Sequence, residues 1–457
     1  MRKKWLALAL SMTMVAGCVA GCGNNASNTT STNSGNDSSK SSDSAEVSLL
    51  EDGGGKVLNV WSWNGDFQKM LEDHYPDLKD GKIGDVKVNF VVNPDEYQSK
   101  LDKALEGNAD ASEEDKVDLF CAEGDYVARY KSAARDVAVT NEELGITSDD
   151  TKNMYEYTLK TVTDENGKVR GLCNQSNPSG IAYRRSIAKD VFGTDDPEEI
   201  GKKLTTWDDV KKAGDELKKK GYFLFATPDD MQRAFIESDA TLFGDGDKLT
   251  VTPGMDKWLT FAKECVDAGY IQYPGKVQWG DEYVSGYGKK GKVFAYNATA
   301  WFPGWPMGDA TKDTVGDWGL CAGPESYAWG GTWYIGARGT DNAKLVADIL
   351  KKVTCDTDTA FEIAEKDQTF VNNKEAIKKM IDGKKTSEMF GGQDLNSFWT
   401  KFADNITIAN KSAYDKECVE FAWTPFADYF TGKKSKEEAT KVWSDEVMKS
   451  FPNLKAE

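Results

Sequence analysis

Residues 56–78 read KVLNVWSWNGDFQKMLEDHYPDL. Lys56 to Trp63 form an apolar run of strand length, Trp63 to Asp66 (WNGD) a polar turn, and the residues from Asp66 an amphipathic helix. The same order returns twice. VKVNFVV (86–92) precedes PDEYQSKLDKALEG (94–107), and KVDLF (116–120) precedes DYVARYKSAA (125–134). Repeated βα units of this length predict an α/β fold with a parallel sheet and right-handed crossovers. In such sheets the loops leaving the strand C-termini line one edge, where ligands bind. Those loops are WNGD, NPDE (93–96) and AEGD (122–125), all polar.

A second series follows between Tyr183 and Leu320. TTWDDVKKAGDELKKKG predicts a helix capped by Thr205 or Thr206, YFLFA (222–226) a strand, and TPDDMQRAFIESDA a loop and helix. GMDKWLTFAKECVDAG is helical, and KVFAYN (292–297) is a strand running directly into ATAWFPGW (298–305). DWGLCAGPESYAWGGTWYIGARG (317–339) predicts two strands around an aromatic loop. From Asn342 onward helices dominate, and no internal repeat is present.

The ends bound the setting. Arg2, Lys3 and Lys4, an apolar run from Trp5 and small residues before a cysteine make residues 1–21 a secretory signal, too short to span a bilayer. VAGC occurs at Val15–Cys18 and VAGC again at Val19–Cys22, both lipobox-like. Cys22 is favoured as the lipidated thiol because it leaves the longer apolar segment upstream. Residues 22–55 are Ser-, Thr-, Asn-, Gly- and Asp-rich, a composition expected to form a tether with an r.m.s. reach of roughly 30 Å. The net charge is −18, which disfavours nucleic acid and anionic lipid as partners. The body cysteines Cys121, Cys173, Cys265, Cys321, Cys355 and Cys418 contain no C-x-x-C pair, so free thiols and disulfides both remain open.

Six of the 14 tryptophans fall between residues 279 and 333. Trp207, Trp258, Trp399, Trp423 and Trp443 sit at helix-periodic positions and read as core. Trp301, Trp305, Trp329 and Trp333, beside glycines on turn-rich segments, and Trp63 read as candidate ligand platforms. A pyranose has apolar C–H faces and a rim of hydroxyls. Covering one face with indole contributes on the order of 1 kcal/mol, and a hydroxyl donating to a carboxylate about 1.5–3 kcal/mol. Asn64, Asp66, Glu123, Asp125, Asn174 and Gln175 could supply those polar contacts; their alternative role is helix capping.

The succession of LNVWSWNGDF, DEYQSKLDKAL, VDLFCAEGDYVARY, GLCNQSNPSGIAYRRSIAKDVFGTDDPEE, GKVFAYNATAWFPGW, WGGTWYIGARGTDNAKLVADIL and FADYFTGKKSKEEATKVWSDEV resembles the carbohydrate-type extracellular solute-binding proteins of ABC importers, the maltose-binding-protein-like group. The resemblance implies a two-lobed periplasmic-binding-protein-like fold with a hinge between the lobes and a helical C-terminal segment. It implies 56–178 and 321–366 as lobe 1, and 179–320 and 367–457 as lobe 2. It further implies a lipid-anchored monomer at the extracellular face of the membrane, which captures a sugar and passes it to permease subunits. Trp63, Asn64, Asp66, Glu123, Asp125 and Trp301 match ligand contacts of the group, and Trp333 lies on the matching return strand. Tyr97 reads as helix packing, and GGQD (391–394) resembles a loop near the cleft.

Two other classes compete. A glycoside hydrolase needs a carboxylate pair at fixed separation, and no hydrolase signature is present. A polyamine or peptide binder on the same scaffold would also use an acidic, aromatic cleft. One histidine, His74, and unclustered thiols predict no metal site, no cofactor motif is found, and GDGDK (244–248) reads as a hairpin turn rather than a calcium loop.

Overall fold

A computed structural model of the chain describes residues 48–237, 244–245, 247–408 and 411–456. In chain order its strands are β1 (Val57–Ser62), β2 (Leu78–Lys79), β3 (Lys82–Ile83), β4 (Val86–Val92), β5 (Leu119–Glu123), β6 (Leu172–Cys173) and β7 (Ser179–Arg184). They continue with β8 (Gly244–Asp245), β9 (Lys248–Leu249), β10 (Ala295–Thr299), β11 (Trp318–Cys321), β12 (Thr332–Gly336) and β13 (Lys455–Ala456).

The opening stretch forms the centre of the first lobe. β1 pairs in parallel with β4, from Val57 opposite Lys87 to Ser62 opposite Val92, and with β5 through Val60 and Leu119. Leu58, Asn59 and Val60 are all buried, as expected of a strand covered on both faces. The buried Asn59 is satisfied: its backbone N–H donates to Asp118 and its amide to the Glu113 carbonyl. The sheet order is β2-β3-β4-β1-β5-β12-β6, with β12 antiparallel to β5. The second lobe carries the antiparallel sheet β10-β7-β11. At GDGDK, Gly244–Asp245 (β8) pairs antiparallel with Lys248–Leu249 (β9), and β13 pairs with β9 in parallel.

Strand membership shows where the chain changes lobe. β6 ends at Cys173 in the first sheet and β7 begins at Ser179 in the second, so residues 174–178 cross. β11 ends at Cys321 and β12 begins at Thr332, so the segment carrying Trp329 crosses back. A helix over Thr357–Asp367 then leads through Gln368, at φ +50°, towards the C-terminal helices. Helices Pro253–Ala268, Asp415–Phe430 and Lys436–Ser450 join in one core cluster, where Trp258 and Trp443 are fully buried; Trp399 is buried in another.

Two expectations differ from the structure. YFLFA is not one regular strand: Phe223 bridges Val293 and Phe225 bridges Ile271, with backbone hydrogen bonds to residues 292–295 on one side and 270–273 on the other. The stretch 48–55 is not free tether, since the Leu50 N–H donates to Glu143 O at 2.8 Å and that of Gly55 to Asp341 O at 3.2 Å. Leu50 also packs against the core, an apolar anchor that a polar composition average conceals. The signal, Cys22 and the rest of the tether lie outside the described residues. The six body cysteines are free and all but Cys355 are buried. Among the described residues, no helix is long and apolar enough to cross a membrane.

Candidate functional site

The βα turns of the first lobe face the loop after β10 across a cleft of about 800 Å³. β1 delivers Trp63, Asn64 and Asp66 to its wall, β5 delivers Glu123 and Asp125, and the first crossover delivers Asn174 and Gln175. Trp301 and Trp305 enter after β10 and Trp329 from the return crossover. The Asn93–Glu96 loop does not line it.

The indoles form one group. Trp301 and Trp305 lie near-parallel with centroids 5.7 Å apart, and Trp279 sits 5.0 Å from Trp305 and 6.0 Å from both Trp301 and Trp329. Trp329 meets Trp301 edge-on at 5.3 Å, and the Trp301 Nε1–H donates to the Trp329 carbonyl at 2.9 Å. Glycine makes this approach feasible: a Cβ on Gly330, at φ +76°, would come within 2.6 Å of Trp301 Nε1. Trp305 is 59% exposed. Opposite, Trp63 is half-buried and packs edge-on against Tyr97 at 5.7 Å. Tyr97 itself is buried, its hydroxyl donating to the carbonyls of Trp61 and Cys121, so it props the Trp63 ring.

The polar residues divide into available and occupied groups. Asn64 and Asp66 are bonded to each other, the amide donating to the carboxylate at 2.6 Å, and neither is buried. Glu123 accepts the Asp125 N–H at 2.9 Å; burial and the neighbouring Asp125 charge push its carboxyl upward. Asp125 is 5% exposed and already taken. It accepts a bidentate pair from Arg233 at 2.8 and 3.1 Å, and Lys411 at 2.8 Å. Burial alone would raise its pKa, but these cations and Lys416 hold it well below the usual carboxylate range. Asn174 is likewise engaged, accepting from the Tyr334 hydroxyl at 2.9 Å and donating to Met70 Sδ at 3.2 Å. Gln175 is half-buried at the cleft edge.

Trp333 does not belong to this group. On β12 its side chain falls on the opposite face from Tyr334, which lines the cleft. The ring is 4% exposed in the first-lobe core, its Nε1–H donating to Thr158 O at 3.0 Å. GGQD also lies elsewhere: Gln393 exchanges hydrogen bonds with the Leu320 backbone on β11.

Several wall residues escaped the sequence reading. Lys69 and Asp73, an i,i+4 ion pair on helix Asp66–His74, line the cleft beside Met70, and their helical spacing after the WNGD loop was the signal available. Asp367, Gln368, Thr369 and Lys416 arrive from the C-terminal part of the chain. Trp279, at φ +69°, stood out only as one more tryptophan in a crowded stretch.

The model of the bacterial extracellular solute-binding protein family matches residues 78–391. The chain belongs to that family. Among curated proteins none matches it in sequence. Solved structures are similar in fold. A crystal structure of an extracellular solute-binding protein family 1 member aligns with a TM-score of 0.72 at 17% identity, over 86% of this chain and 99% of that one. The ABC transporter associated binding protein from B. animalis subsp. lactis Bl-04, solved with beta-1,6-galactobiose, aligns at 0.63 and 18% identity over 88% and 100%. The galacto-N-biose-/lacto-N-biose I-binding protein of the ABC transporter from Bifidobacterium longum, solved with lacto-N-biose, aligns at 0.66 and 14% over 89% and 100%. At these identities the likeness shows the two-lobed fold.

Proposed function

We propose that this solute-binding protein captures a neutral sugar, an oligosaccharide, between its lobes and delivers it to the permease subunits of an ABC importer. The observation that carries the reading is the indole group Trp279, Trp301, Trp305 and Trp329 facing Trp63 across one cleft. Flat apolar rings suit the C–H faces of pyranoses, while Asn64, Asp66, Glu123 and Gln175 offer donors and acceptors for hydroxyls. Asp125 and Asn174 act as supports of the wall, and Trp333 is left out of the contact set. A cleft of about 800 Å³ is at the upper end of small-molecule sites, which favours more than one sugar ring.

Charge balance argues against the polyamine alternative. Asp73 is paired with Lys69, and Asp125 with Arg233 and Lys411. A polycation would have to displace protein cations or rely on Asp66, Glu123 and Asp367. Binding then acts by population shift: a ligand touching both lobes favours the closed arrangement that the permease meets. We assign 56–178 with 321–366 to lobe 1 and 179–320 with 367–457 to lobe 2. We further assign the mature chain to the extracellular membrane face as a monomer, held by a lipid on Cys22, without catalysis. A thermal-shift screen of neutral mono- and oligosaccharides beside spermidine and short peptides tests the reading. Stabilisation by a sugar supports it; stabilisation by spermidine or a peptide, with none by any sugar, rejects it.

A further inference from the structure

Asp125 is in the first lobe, following β5, whereas Arg233 is in the second, on helix Gln232–Ile236. Their side chains are 4% and 5% exposed and meet through two hydrogen bonds. Arg233 also pairs with Glu237, one turn along, at 2.7 Å, and Lys411 bridges Asp125 and Glu237 at 2.8 and 3.1 Å. Two carboxylates thus meet Arg233 and Lys411, with Lys416 3.9 Å from Asp125, in a charge cluster buried between the lobes. A second, more open pair joins the lobes nearby: Arg129, on helix Val127–Tyr130, donates to Glu417, on helix Asp415–Phe430, at 2.5 Å. The Arg233 guanidinium does one thing more. It lies 4.7 Å from the centroid of Trp329, a ring that borders the cleft and also a small chamber lined by Glu237 and Lys411.

We propose that Arg233 is a positioning residue of the solute site, holding the Trp329 indole from its chamber side and clasping the first lobe through Asp125. The idea presupposes that the cleft is the solute site, and it gives that cleft a closing device made of protein groups alone. A planar guanidinium can serve both partners, its edge pairing with carboxylates while its face meets the indole. A lysine cannot. When the lobes part, Asp125 and Arg233 regain water, so losing one partner is relieved by opening rather than by unfolding. Glu237 caps the helix that carries Arg233, so its pair with Arg233 stays intact in either arrangement. Trp329 gains its final orientation only when the clasp forms. Lobe approach and assembly of the ring wall are therefore one event.

Two ligand-free measurements test this. In a Cys355→Ser background, spin labels on cysteines introduced as Lys103→Cys and Lys441→Cys, exposed positions on one helix of each lobe, report the interlobe distance. Asp125→Asn is expected to shift the open-to-closed ratio at least ~10-fold, whereas Glu237→Gln leaves the distance distribution close to that of the parent. An unchanged distribution for Asp125→Asn, or equal shifts in both variants, overturns the clasp. The emission difference between the protein and its Trp329→Phe variant isolates that indole. Arg233→Lys is expected to move this difference spectrum to longer wavelength as the ring gains water; an unmoved spectrum overturns the positioning role. Because no ligand is added, failure here leaves the sugar reading standing, and failure of the sugar screen leaves the clasp standing.

Discussion

Replacing Trp305 by Ala separates binding from stability. Trp305 is 59% exposed, so of a residue with about 250 Å² of surface, roughly 150 Å² faces solvent. A pyranose stacked on the ring would cover about 50 Å² of that, contributing ~1.3 kcal/mol, or about 9-fold in affinity. What the ring gives the fold is of similar size. Its contacts are with Trp279 at 5.0 Å and Trp301 at 5.7 Å, together worth about 1–2 kcal/mol. In a body of this size that moves the melting temperature by only a few degrees. Calorimetric titration with a sugar found in the screen, alongside a melting curve, measures both. An unchanged Kd would refute the stacking argument, and so would a collapse of the melting temperature.

Trp333→Ala behaves in the opposite sense: the ring is buried at 4% exposure, so truncation costs about 3–5 kcal/mol of stability, read by denaturant unfolding. A variant that melts normally yet loses sugar would return Trp333 to the site. Asp229 and Asp230 are buried in the second lobe, and burial pushes their carboxyls up to about 6 and about 7. Such groups bind protons more tightly folded than unfolded, so they favour the fold below the ordinary value of 3.8 and progressively less as pH rises through 6 to 7. The melting-temperature deficit of Asp230→Asn therefore shrinks between pH 5 and pH 8; a deficit constant with pH contradicts this. Thiol reagent added to the native protein should leave Cys121, Cys173, Cys265, Cys321 and Cys418 unmodified, all five reacting after denaturation without reductant. Absence of reaction after denaturation would reveal disulfides.

The first lobe was readable because its units are local. KVLNVWSW, VKVNFVV and KVDLF carry a strand signal by themselves, although the third strand forms three residues further on, at Leu119–Glu123, and takes in the first half of AEGD. The cleft's first-lobe loops followed from that topology. YFLFA reads as a strand and does pair, but a short apolar run does not reveal that its bridges pass from Val293 to Ile271 within three residues. Trp333 and Trp329 sit four apart around two glycines, yet one is core and one is wall: the turn at Gly330 and Gly331, with φ of +76° and +108°, decides which way each ring faces. Asp125 lines the cleft, but its partners lie 108 and 286 residues away. No local pattern announces such a pairing. Lys416 and Asp367 were hidden in the same way, on helices whose exposed faces look ordinary until the chain has crossed between lobes.

The central claim is that indoles of the second lobe and Trp63 of the first hold a saccharide between them. A crystal structure of the complex with a sugar from the screen tests it most directly. The account predicts a pyranose face within ~4 Å of the Trp301 or Trp305 ring, with its hydroxyls bonded to first-lobe side chains such as Asp66 or Glu123. A sugar bound away from these rings, or touching one lobe alone, would contradict it.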